Sequence, residues 1–151
     1  MRGIGSDACL YSTTLKDKKT TEPQNRKIFI YQIGLYSDQK READDEFYRY
    51  FNPEIRAASE VMADIVVELL YRRELVGHYE RTNDPAYVIA CSVRVIDNMK
   101  KHVISEKKFY GSHPPEKISG FSKQGFTGEA PHYWNICKYL KPLLERMLSG
   151  Q

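Results

Sequence analysis

A chain of 151 residues, 41% apolar and 28% charged, is one domain's worth and long enough to bury a core. Those proportions exclude a collagen-like, low-complexity or disulfide-scaffold chain. The 23 Lys and Arg against 20 Asp and Glu leave a net charge of +3, which permits an anionic partner without demanding one. Bases collect at 1–27 and 101–151, and acids at 28–65.

Residues 1–26 are polar and rich in Ser, Thr and Lys, and are expected to form an arm or loose hairpin ahead of a globular domain at 27–151. Lys27–Tyr36 is β-branched and aromatic, with apolar groups on alternate and intervening positions, which predicts a central strand over 28–36. Asn52-Pro53-Glu54 reads as a helix entry: a capping Asn, Pro at the first position and an acid in the first turn. Ile55, Ala58, Met62, Ile65, Val66, Leu69 and Val76 then recur at helical spacing up to Gly77, predicting a helix over 53–76. Asn83-Asp84-Pro85 repeats that grammar, and Ile89, Val93, Ile96, Met99 and Val103 extend it into a helix over 86–104. The β-branched content of Tyr87–Ile96 makes a strand the rival there. The segment 105–130 shows no sustained period and reads as a long loop. A last helix is predicted over 132–148, with Pro142 expected to kink or split it. The expected fold is therefore α+β: one small sheet containing 28–36, packed against about three helices.

The loop 105–130 draws attention because unstructured loops of that length are uncommon and often functional. It is basic, aromatic and Gly-rich. Lys117 and Lys123 would meet phosphate, while Phe121 and Phe126 offer faces for stacking on bases. Tyr133 and Trp134 would add further faces, and His132 opens the last helix, whose N-terminus favours an anion. Gly120–Thr127 is close to the phosphate loop GxxxxGK[ST]. Thr127 fits the final position, but Phe126 stands where the phosphate-reaching lysine belongs, so an NTPase is not expected. Arg73 and His78 form R-x4-H, whose spacing is similar to the R-x4–6-H motif of HEPN ribonucleases. In that helical family the pair serves RNA cleavage, so the resemblance marks Arg73 and His78 as catalytic candidates.

Cys9, Cys91 and Cys137 are scattered and odd in number, which suits reduced thiols in a cytoplasmic compartment. No Cys or His pair has metal-ligand spacing, so neither a metal nor a cofactor is expected. Apolar runs are too short for a membrane span. The expectation is a small soluble binding or regulatory protein that recognises a nucleotide or nucleic acid through 105–130. The alternatives are a protein–protein module such as an inhibitor or adaptor, supported by the 11 Tyr, and a metal-independent RNase using Arg73 and His78. A homo-oligomer is compatible with all three.

Overall fold

The computed structural model describes residues 26–35 and 37–149. The expected N-terminal arm lies, apart from Arg26, outside the described residues. One compact unit spans Lys27–Leu143, while Arg26 and 144–149 belong to a second. Within that second unit, Arg26 Nη1 donates to the Met147 carbonyl at 2.9 Å.

The elements are β1 (Ile28–Gly34), β2 (Ser37–Glu42), α1 (Asp45–Tyr48), β3 (Ile65–His78), β4 (Pro85–Asp97), β5 (His102–Tyr110), β6 (Phe126–Thr127) and α2 (Tyr133–Leu148). They form a six-stranded mixed sheet in the order β2-β1-β3-β4-β5, with β6 paired to β4 past the end of β5. β1 runs parallel to β3, and β3–β4 and β4–β5 are antiparallel.

Alternation along the strands builds two faces. On the first, Ile28 and Ile30 stand beside Ile65 and Val67, and Val67, Leu69 and Tyr71 stand beside Val95, Val93 and Cys91. All of these are buried. The part of helix α2 up to Leu143 packs on this face. Its Tyr139 hydrogen-bonds Ser105 and packs its ring on Phe109, and Ile136, Cys137 and Leu140 are buried. At the β1 side Tyr48 of α1 accepts from Ile30 N–H at 2.7 Å. Burial raises the Tyr48 phenol above its ordinary range. On the second face Ala57 and Ala63 cover Tyr31 and Val66, and the sheet beyond them is open.

An α+β architecture, the strand at β1 and the last helix are thus present, but the helices expected over 53–76 and 86–104 are not. The region 53–76 contains only 3₁₀ turns at Pro53–Ile55 and Glu60–Met62, followed by the 14-residue strand β3. Asn52 does cap its turn, its Oδ1 accepting Glu54 N–H at 3.0 Å. The helix goes no further because Ala57 N–H donates to Ile28 O at 2.7 Å, across to the sheet. The region 86–104 is instead β4, a turn and β5. Asp97 Oδ1 accepts the N–H groups of Met99 and Lys100, an Asx turn that reverses the chain. The expected loop 105–130 contains the second half of β5 and the short β6, leaving 111–125 as the true connection. The last helix stands at Tyr133–Leu148 and passes through Pro142 without splitting. No helix among the described residues is long and apolar enough to cross a membrane.

Candidate ligand cleft

β3 outruns β1. Its pairing with β1 ends at Leu70, opposite Ile33, while its pairing with β4 continues to His78. Where β1 turns into β2, Gly34 (φ 90°) lies so close to the Tyr71 carbonyl that a Cβ there would collide with it. Leu35 follows at φ 64°, a left-handed residue in the hairpin turn. The result is an open cleft of about 640 Å³ lined by Gly34, Leu35, Asp38, Tyr71, Arg73, Ile89 and Thr127, with Arg72 also at its wall. That volume falls within the range of small-ligand sites.

Arg73 is the cation of this cleft that the fold holds in place. Its guanidinium lies over the Tyr87 ring, 4.0 Å from the centroid, and Nη1 donates to Gln124 O at 3.3 Å. Among the described residues no carboxylate pairs with it. Other arginines differ: Arg56 is bound by Glu42 and Asp45, and Arg94 by Glu68. Burial pulls the Arg56 guanidinium down, but its two carboxylate partners outweigh this and raise it. Arg73 is therefore a positioned guanidinium whose remaining N–H donors are open to an anion.

Thr127 of β6 lines the cleft, and the connection 111–125 reaches it through the Gln124 carbonyl. Thr127 pairs with Tyr87, and Gly128 N–H donates to Tyr87 O at 3.1 Å. Gly111 and Gly128 let two stretches of backbone touch: Ser112 N–H donates to Glu129 O at 3.0 Å, and Glu129 N–H to Ser112 Oγ at 2.8 Å. A Cβ on either glycine would overlap the opposing carbonyl oxygen. Buried Asp84 holds the connection in place by accepting Ser122 N–H at 2.8 Å.

The sequence-derived site residues separate into two places. Thr127 lines the cleft, and Lys123 precedes the Gln124 carbonyl that Arg73 holds. Phe126 packs its ring edge-on against Tyr79, so it serves the fold at the position where a phosphate loop has lysine. Lys117 and Phe121 are exposed on the connection. His132, Tyr133 and Trp134 have their contacts at the start of α2. His132 Nδ1 accepts Trp134 N–H at 3.1 Å, Tyr133 Oη donates to Asp44 at 3.2 Å, and Trp134 faces Tyr50 at 5.7 Å. The N–H groups of Gly125 and Gly128 donate to Ser122 O and Tyr87 O, within the fold.

Arg73 and His78 do not share a helix; both stand on β3. Val76 is an extra residue in the ladder, so His78, opposite Pro85, falls on the same face as Arg73, opposite Ile89. Those register partners are about 13 Å apart along β4, which removes the helical geometry the R-x4-H resemblance implies. Tyr87, Asp38 and Gln124 escaped the sequence reading. The alternation of Tyr87, Ile89, Cys91, Val93 and Val95 was the signal that could have located Tyr87. No family model matches the chain, and neither a curated protein nor a solved structure matches it.

Proposed function

We propose that this chain is a binding protein for a small phosphate-bearing ligand of the nucleotide class, received in the cleft of Arg73 and Thr127. One observation carries the reading: an exposed guanidinium, held by a ring face and a carbonyl, with no carboxylate counter-ion among the described residues. Such a group binds phosphate bidentately. Thr127 supplies a hydroxyl beside it, and the Asp38 carboxylate on the opposite wall suits sugar hydroxyls. Leu35 and Ile89 offer apolar surface for a base. Asp38 also disfavours a long polyanion, so a mononucleotide fits better than a nucleic-acid strand. Arg72 at the wall is a second cation, and Lys123 adds positive charge one residue before the Gln124 carbonyl that Arg73 holds.

Calorimetric titration with nucleoside mono-, di- and triphosphates and with inorganic phosphate tests this. Arg73→Ala is expected to weaken binding about ten- to a hundredfold, the worth of charge-assisted hydrogen bonds. Lys123→Glu should weaken it less, and Lys117→Glu least. If no ligand in the panel binds, the reading fails.

A second reading, a protein–protein module, is favoured by three exposed apolar side chains: Val61 at 85%, Met62 at 67% and Met99 at 83% exposure. They stand on two segments tied together by Asn98, whose Nδ2 donates to Glu60 O and Ala63 O. Substituting all three by Asp would abolish partner binding on this reading and leave nucleotide titrations unchanged.

A further inference from the structure

The open face of the sheet carries a charge pattern of which the ligand cleft touches only Arg72. Its floor is Leu70, Ala90 and Ser92, and its walls are Arg72, Glu74, Arg94, Glu106 and Lys108, around a trough of about 300 Å³. The cross-strand register places these groups in rows. Glu68, Arg94 and Glu106 stand side by side on β3, β4 and β5; Leu70, Ser92 and Lys108 form the next row; Arg72, Ala90 and Tyr110 form the third.

Along these rows and the trough wall, Arg72, Arg94 and Lys108 balance Glu68, Glu74 and Glu106. Two pairs close within the chain: Arg94 Nη1 to Glu68 at 3.1 Å, and Lys108 to Glu74. One cation and one anion are left. Arg72 and Glu106 are both exposed, and neither has a hydrogen bond, ion pair or ring contact among the described residues. Arg72 lies beside Ala90 and Glu106 beside Arg94, so Ser92 is midway between their positions on β4.

We infer that this face binds a second copy of the same chain, Arg72 of each copy meeting Glu106 of the other about a two-fold axis at Ser92. A two-fold contact requires a surface complementary to itself: residue i meets j, and j meets i. A face with net charge would repel its own copy, whereas this one balances and leaves one unpaired charge of each sign on either side of a small-residue centre. Ala90 and Ser92 keep side-chain bulk away from the axis, leaving room for the longer charged side chains to meet. A phosphate-bearing ligand would meet Glu74 and Glu106 beside every cation of this trough, so the anion of the cleft has no counterpart here.

Sedimentation velocity over a concentration series tests the pairing on the full chain. The wild type is expected to form a dimer that salt weakens. Arg72→Glu alone and Glu106→Arg alone each place like charges in both contacts and should weaken dimerisation about tenfold or more. Mixing the two variants restores both contacts. The two introduced charges then face each other as an opposite pair, and the unaltered Glu106 of one variant meets the unaltered Arg72 of the other. A heterodimer should therefore reappear in the mixture alone. Both positions are exposed, and circular dichroism of each variant checks its fold. A monomeric wild type, a dimer indifferent to both reversals, or a mixture that stays monomeric would each overturn the inference. Binding of nucleotides is expected to be unchanged in Glu106→Arg, which separates this result from that of the cleft.

Discussion

The same strands present two faces that differ in almost every respect. On one, Val67, Leu69, Val93 and Val95 are closed to solvent. On the other, the intervening residues Glu68, Leu70, Ser92 and Arg94 include charged and small side chains in an open trough. Stability and recognition reside on different faces. Burial of apolar area favours the fold on the covered face, while surface ion pairs on the open face contribute little to it. The open face can therefore carry an arrangement of charges chosen for complementarity. Arg73 lies where the two demands meet, beyond the helix-covered centre but on the covered side.

The largest expected effect comes from comparing one residue of each face. Leu69→Ala leaves a cavity in the covered face and should cost about 2–5 kcal/mol, whereas Ser92→Ala should stay within about 0.5 kcal/mol. Urea unfolding of the two variants measures both, and similar costs would break the comparison.

Alkaline pH probes the covered face next. Burial pushes the Cys91 thiol up to about 12, with a hydrogen bond from Tyr71 partly opposing, and burial pushes Cys137 up to about 12 as well. In the unfolded chain these thiols ionise near pH ~8.5. Their contribution is then complete below about pH 8.5 and is lost as pH rises from there toward 12. Thermal melts should show stability falling over that window, and a Cys91→Ala/Cys137→Ala variant should fall less steeply.

Gly128→Ala sharpens the account of the cleft rim. A methyl group there overlaps the Ser112 carbonyl, so the backbone clamp must open, at about 1–3 kcal/mol. Ligand affinity should drop with it, because Thr127 is the preceding residue. The smallest effect belongs to Asn52→Ala. That side chain caps a three-residue 3₁₀ turn, so the loss should be about 0.5 kcal/mol, at the low end for a cap.

Two elements were legible in the sequence because their patterns admit one reading. Ile28, Ile30 and the residues between them are apolar on both faces, as a central strand requires, and the stripe Ile136, Leu140, Leu143, Leu144 and Met147 has the length and period of a helix. β3 admitted two. Ile65, Val66 and Leu69 fit helical spacing, while Ile65, Val67, Leu69 and Tyr71 fit alternation equally well. What decided the matter was pairing with Ile28, 37 residues earlier, and with Asp97, neither of which is visible in a local window. The helix grammar at Asn52 was chemically right and too short in reach: a cap and a proline start a turn, but a donor to the sheet at Ala57 ended it. The cleft was legible only in fragments. Arg73 drew notice for a spacing argument that β3 removes, and Thr127 for a phosphate-loop pattern that Phe126 does not complete. Their proximity depends on the β3–β4 and β4–β6 ladders.

On the proposed function Arg73, held over Tyr87, is the anion-binding group of this chain. The most direct measurement of that role is the salt dependence of adenosine monophosphate binding in the wild type, in Arg73→Ala and in Arg94→Ala, the last removing an ion-paired arginine of the open face. The account predicts that Arg73→Ala binds about ten- to a hundredfold more weakly with a flatter salt slope, and that Arg94→Ala behaves as the wild type. Equal losses in the two variants, or binding unaffected by Arg73→Ala, would contradict it.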